Sequence, residues 1–126
     1  MVVERWVRRT VALAVFQVVV ALPAIAGPCD KVLNEEALTA CLNNELNIAD
    51  KELNRVYSTF KVKLEEANRE RLRKTQLVWI RSRDSDCEFE AESVGSGSAY
   101  QAVNLSCLIK KTRQRTKQLE EWKKIF

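Results

Sequence analysis

The residues with the most obvious capacity for chemistry are four cysteines, Cys29, Cys41, Cys87 and Cys107, in a chain of 126 residues that contains no histidine. The missing imidazole removes Ser-His and Cys-His nucleophiles, histidine metal ligation and any histidine pH switch. The cysteines form no Cys-x-x-Cys pair, so neither a zinc centre nor a redox-active dithiol is expected, and no metal or cofactor is called for. An even set of cysteines in a small exported chain reads instead as two disulfides. Three connectivities are possible, and spacing alone does not choose among them. Cys29–Cys41 with Cys87–Cys107 is favoured, because each bridge would tie a local turn to a helix end. Loops of that size are worth about 3 kcal/mol each by chain entropy, a large share of the stability of a small domain.

A second group of polar residues sits on otherwise apolar faces. Asp50, Asn54 and Tyr57 recur at i, i+4 and i+7, and Gln76, Trp79 and Arg83 at i, i+3 and i+7, so each trio lines one face of a helix. An antiparallel turn near residue 68 would bring the two faces together. A half-buried Arg83 needs a carboxylate, which Asp50 or Asp84 would supply. The set is read as a structural clamp fixing helix register, with a recognition patch as the functional alternative. The run Lys110, Lys111, Arg113, Arg115 and Lys117 suggests a polyanion or membrane-surface site, against which stands the ordinary solvation of helix-surface charge. Glu35-Glu36 and Glu65-Glu66 are sequence neighbours that point in different directions, so neither pair forms an acid/base dyad. Nothing assembles a nucleophile, a base and oxyanion donors, and an enzyme is not expected. Asp84, Asp86, Glu88, Glu90 and Glu92, ahead of the loop Val94–Ser98, form the best candidate surface for contacting a protein partner.

The elements that must position these groups follow from hydrophobic pattern. Residues 1–26 combine a start carrying Arg5, Arg8 and Arg9, an apolar stretch from Val11 to Leu22, and Ala24-Ile25-Ala26, the order of a secretory signal cleaved after Ala26. The apolar run is short for a bilayer span, and Pro28 before Cys29 fits a lipobox poorly, so no stable membrane anchor is expected after cleavage. The net charge of +4 falls to +2 over residues 27–126 once the leader's three arginines and one glutamate are removed. That balance and a periplasmic or secreted location make nucleic acid an unexpected partner.

In the remainder, Leu38, Leu42, Leu46, Ala49, Leu53, Val56, Phe60 and Leu64 make one apolar stripe, predicting a helix from Asn34 to about Ala67. Asn34 is its expected N-cap, with a break expected at Asn43-Asn44 or Asn47. Glu65 to Arg71 is read as the turn, and a second stripe runs from Leu72 to Cys87. Ser98 with Gln101 forms a capping box that starts a third helix near Ala99. With three glycines and two prolines in the whole chain, an all-β domain is excluded. The expected fold is all-α, a disulfide-stapled antiparallel bundle of three to four helices.

The segment Ala49-Asp-Lys-Glu-Leu-Asn54-Arg-Val-Tyr57 and the block Leu72-Arg-Lys-Thr-Gln76-Leu-Val-Trp79-Ile-Arg-Ser-Arg83-Asp84-Ser-Asp-Cys87 resemble the lysozyme inhibitor LprI-type family. The patterns are "D-x-x-L-N-x-x-Y" and "L-R-x-x-Q-x-x-W-x-x-x-R-D-x-x-C". Cys29, Cys41, the glycine–serine loop, Cys107 and the closing Arg113-to-Leu119 segment extend the likeness over nearly all of residues 27–126. The resemblance implies a small, exported, helical bacterial protein without catalytic activity, with lysozyme as its possible protein partner. It assigns no lysozyme-contacting residue. An interaction or scaffold module for an endogenous envelope partner is the alternative. Because animal-type lysozymes are strongly basic, inhibition by a chain of charge +2 would depend on local acidic patches.

Overall fold

The computed structural model describes residues 27–126; the expected leader and its cleavage site lie outside them. Three helices follow in order: α1, Glu35–Lys61; α2, Glu66–Glu92; and α3, Ser98–Ile125. Both α1 and α2 pack against α3. Among the described residues no helix is long and apolar enough to cross a membrane, and no group of three or more His, Cys, Asp or Glu is placed to hold a metal ion.

α1 starts where Asn34, in extended conformation, accepts a hydrogen bond from the Ala37 amide at 3.0 Å. Glu35 and Glu36 in the first turn and Lys61 in the last complement the helix dipole. The helix runs without the expected break. Asn43 bonds back to the Thr39 carbonyl at 2.9 Å on the exposed side. Meanwhile Leu42, Ala49, Leu53, Val56 and Phe60 stay buried along one face, and that burial outweighs the weak helix propensity of asparagine.

The first turn lies earlier than the polar stretch from Glu65 to Arg71 suggested. It occupies residues 62–65, between the two helices, and is fixed by burial rather than by glycine or proline. Leu64 is buried in the core, and Arg69 donates to its carbonyl at 3.0 Å. Glu66, Ala67, Arg69, Glu70 and Arg71 are good helix formers and open α2.

The second turn contains Gly95 and Gly97, at φ 85° and 84°. Gly97, with ψ −148°, is the N-cap of α3, and Ser98 is already helical with no side-chain cap bond. The expected Ser98–Gln101 box is therefore replaced by a glycine cap, whose carbonyl accepts from the Gln101 amide at 3.2 Å. That backbone region is open essentially to glycine alone, and it took precedence over the serine.

Two apolar clusters result. Leu53, Val56, Phe60, Leu64, Leu72 and Leu119 fill the end near the first turn, with Tyr57, Trp79 and Trp122 packed against them. Cys29, Leu42 and Ile109 fill the other, flanked by Leu38, Cys41, Leu46, Ala102 and Leu105. Disulfides join Cys29 to Cys41 and Cys87 to Cys107.

Candidate functional site

Between the apolar clusters lies a layer of polar side chains drawn from all three helices. Arg83 of α2 is its hub. One terminal nitrogen donates to Asp50 Oδ1 of α1 at 3.3 Å and to Thr112 Oγ1 of α3 at 3.1 Å, while Nε and the other terminal nitrogen hold Asp84 Oδ1 at 2.9 and 2.8 Å. Both carboxylates named from the sequence thus meet the same guanidinium. One turn further along α3, the buried Arg115 donates from Nε to Gln76 Oε1 at 3.0 Å and from Nη1 to Gln118 Oε1. Its guanidinium lies between two indoles, 5.4 Å from the centre of Trp79 and 4.7 Å from that of Trp122, while Arg83 also covers Trp79 at 5.2 Å. Such contacts favour a cation where water is excluded. Burial nevertheless lowers the pKa of Arg115.

Asn54 and Tyr57 take no part in that network. Asn54 is exposed and Tyr57 half-buried, and they line a cleft of about 280 Å³ between α1 and α2, with Asp50, Gln76 and Arg83 along the same cleft. The six residues singled out at helical spacing therefore divide. Gln76, Trp79, Arg83 and Asp50 form the layer, and Asn54 and Tyr57 face the opening beside it.

The basic run of α3 does not form one surface. Lys111 pairs with Asp86 at 2.6 Å, Arg113 with Glu45 at 2.6 Å, and Arg115 is buried, contrary to the expectation that these charges are solvated. Thr112 and Arg115 are the polar residues that α3 contributes to the layer. Their sequence signal is phase, because both fall in helical register with the apolar Leu108 and Leu119.

The five acidic residues also divide. Asp84 and Asp86 are engaged by Arg83 and Lys111. Glu88, Glu90 and Glu92 are exposed at the end of α2. At 100° per residue, Asp84, Glu88 and Glu92 descend one flank of the helix and Asp86 and Glu90 the other. On the ridge between the flanks, opposite buried Cys87 and Ala91, stands Phe89, 82% exposed. An aromatic ring in an acidic surround can serve as an anchor on a basic partner.

An uncharacterised protein of Rhizobium meliloti (strain 1021) is 28% identical over 106 residues, covering 74% of this chain and 76% of its own. No solved structure matches. The family model described as lysozyme inhibitor LprI matches residues 29–119, which takes in all four cysteines, the polar layer and the acidic end of α2. The chain belongs to the lysozyme inhibitor LprI family.

Proposed function

We propose that the protein is exported through a leader spanning residues 1–26 and inhibits lysozyme by covering its surface, without chemistry of its own. Family membership over residues 29–119 carries this reading. The two disulfides support an oxidising destination outside the cytoplasm. The contact surface is the end of α2, where Phe89 stands between Glu88 and Glu92 on one flank and Glu90 on the other, with Asp84 and Asp86 paired to Arg83 and Lys111. A strongly basic lysozyme would be steered by those carboxylates and anchored by the ring. The cleft it would block depends on two carboxyl groups for glycoside hydrolysis.

The test is lysis of a bacterial cell-wall suspension by lysozyme with and without the purified protein. Saturable inhibition is expected. Phe89→Ala should weaken it by about tenfold, as for a central hot spot. Replacing Glu88, Glu90 and Glu92 with glutamine should slow association and remove most of its salt dependence. Full lytic activity in a large molar excess of the protein would overturn the proposal.

A further inference from the structure

On the α2–α3 side, the polar layer opens into a second cleft of about 320 Å³. Arg83, Lys111 and Arg115 line it with Trp79, against a single carboxylate, Asp86. The cations are unequally matched. Arg83 is held by Asp50 and Asp84, and Lys111 by Asp86. Arg115 is 5% exposed, and among the described residues its guanidinium bonds only to the amide oxygens of Gln76 and Gln118, its second terminal nitrogen being buried with no hydrogen-bond partner.

A buried donor left unpaired is costly. The flanking indoles offset the charge of Arg115, but an aromatic face is a poor substitute for an oxygen acceptor. Because Nε and the first terminal nitrogen already donate to Gln76 and Gln118, the guanidinium lacks one further acceptor, which a carboxylate oxygen supplies best.

The geometry points to a binding site for a small monocarboxylate in this cleft, its oxygens accepting from Arg115 and Lys111 and its apolar body lying against Trp79. The volume is at the lower end for ligand pockets, about 300 to 1,000 Å³, and suits one small molecule. Asp86 on the wall opposes anions of higher charge, so sulfate and phosphate are disfavoured. This inference stands apart from the lysozyme reading, because neither the cleft nor its test involves lysozyme.

Trp79 and Trp122 are the tryptophans of residues 27–126, and both flank Arg115. In the full chain carrying Trp6→Phe, their emission therefore reports on this cleft. Titration with benzoate should give a saturable change with a dissociation constant of about 1 mM or lower. Benzamide, which has the ring without the charge, and inorganic sulfate should bind at least about tenfold more weakly, and Arg115→Gln and Lys111→Gln should each weaken benzoate by about tenfold. If Arg115→Gln fails to fold, Lys111→Gln at the half-exposed rim decides alone. Absence of saturation, an equal response to benzamide, sulfate binding as tight as benzoate, or unchanged affinity in folded Lys111→Gln would each overturn the assignment.

Discussion

A buried arginine without a carboxylate behaves differently from one that has found its counter-ion, and Arg115 tests the difference. Arg115→Ala strips two indole faces of their cation and leaves the Gln76 oxygen unpaired. A loss of about 2 to 4 kcal/mol is expected in urea unfolding. Arg115→Met keeps comparable volume while removing a buried charge, so it should cost less than about 1.5 kcal/mol. A methionine variant as unstable as the alanine variant would show that the charge itself holds the layer. Arg83 differs, because Asp50, Asp84 and Thr112 all depend on it. The pairing of Asp50 with Arg83 could be drafted from helical spacing, since one residue type demanded the other. Arg115 was legible as a member of a basic run, which treats all its cations alike. Its phase with Leu108 and Leu119 distinguishes it, and that becomes persuasive only once α2 supplies Trp79 and Gln76 opposite.

Helix ends in this protein rest on two different devices, and each makes a prediction. Asn34→Ala removes the side-chain cap of α1 and should cost about 1 kcal/mol in thermal or urea unfolding. Gly97→Ala meets open space, with nothing within 4 Å of the added Cβ, yet should cost about 1 to 3 kcal/mol because φ 84° with ψ −148° strains any L side chain. Steric crowding is thereby excluded as the cause. Along the exposed faces, hydrogen bonds from Arg55 and Arg73 lower the pKa of Glu52 and Glu70 below the ordinary 4.5. Those pairs therefore favour the fold above that pH, and their contribution is lost as pH falls through the lowered values of the folded state. Melting temperature should drop on acidification, and Glu70→Gln should make the drop shallower. Helix type was legible from the apolar stripes, whereas the boundaries were less so. Asparagines suggested a break that burial of Leu42 to Leu53 suppresses, and the charge of Glu65 to Arg71 suggested a turn that burial of Leu64 places earlier. Ser98 yielded its cap position to a glycine whose conformation no serine adopts comfortably.

The bundle is unevenly held together, and its two disulfides should matter unequally for that reason. By chain entropy alone they are nearly equivalent, since loops with separations of 12 and 20 residues each contribute about 3 kcal/mol. The helices they serve differ. α1 buries Leu42, Ala49, Leu53, Val56 and Phe60 and keeps its place by apolar contact. Its bridge, Cys29–Cys41, mainly fastens the short segment ahead of the helix against Leu42 and Ile109. α2 buries only Leu72, Gln76, Cys87 and Ala91. Beyond the polar layer, toward its acidic end, Cys87 and Ala91 are its only buried residues, and Cys87 is bound to Cys107 on α3. Cutting that bridge removes a covalent link and half of the local apolar anchor together. Cys87→Ala with Cys107→Ala should therefore lower stability by at least about 1 kcal/mol more than Cys29→Ala with Cys41→Ala, beyond the shared entropic loss. It should also speed amide exchange over residues 84–92 first, since a helix end with little buried surface opens before the rest. The same variant should lose lysozyme inhibition while the other bridge variant keeps it, if Phe89 and its glutamates must be presented on a fixed helix. Equal losses from the two pairs would mean that α2 is held by its polar layer alone, and that the acidic end needs no fastening to α3.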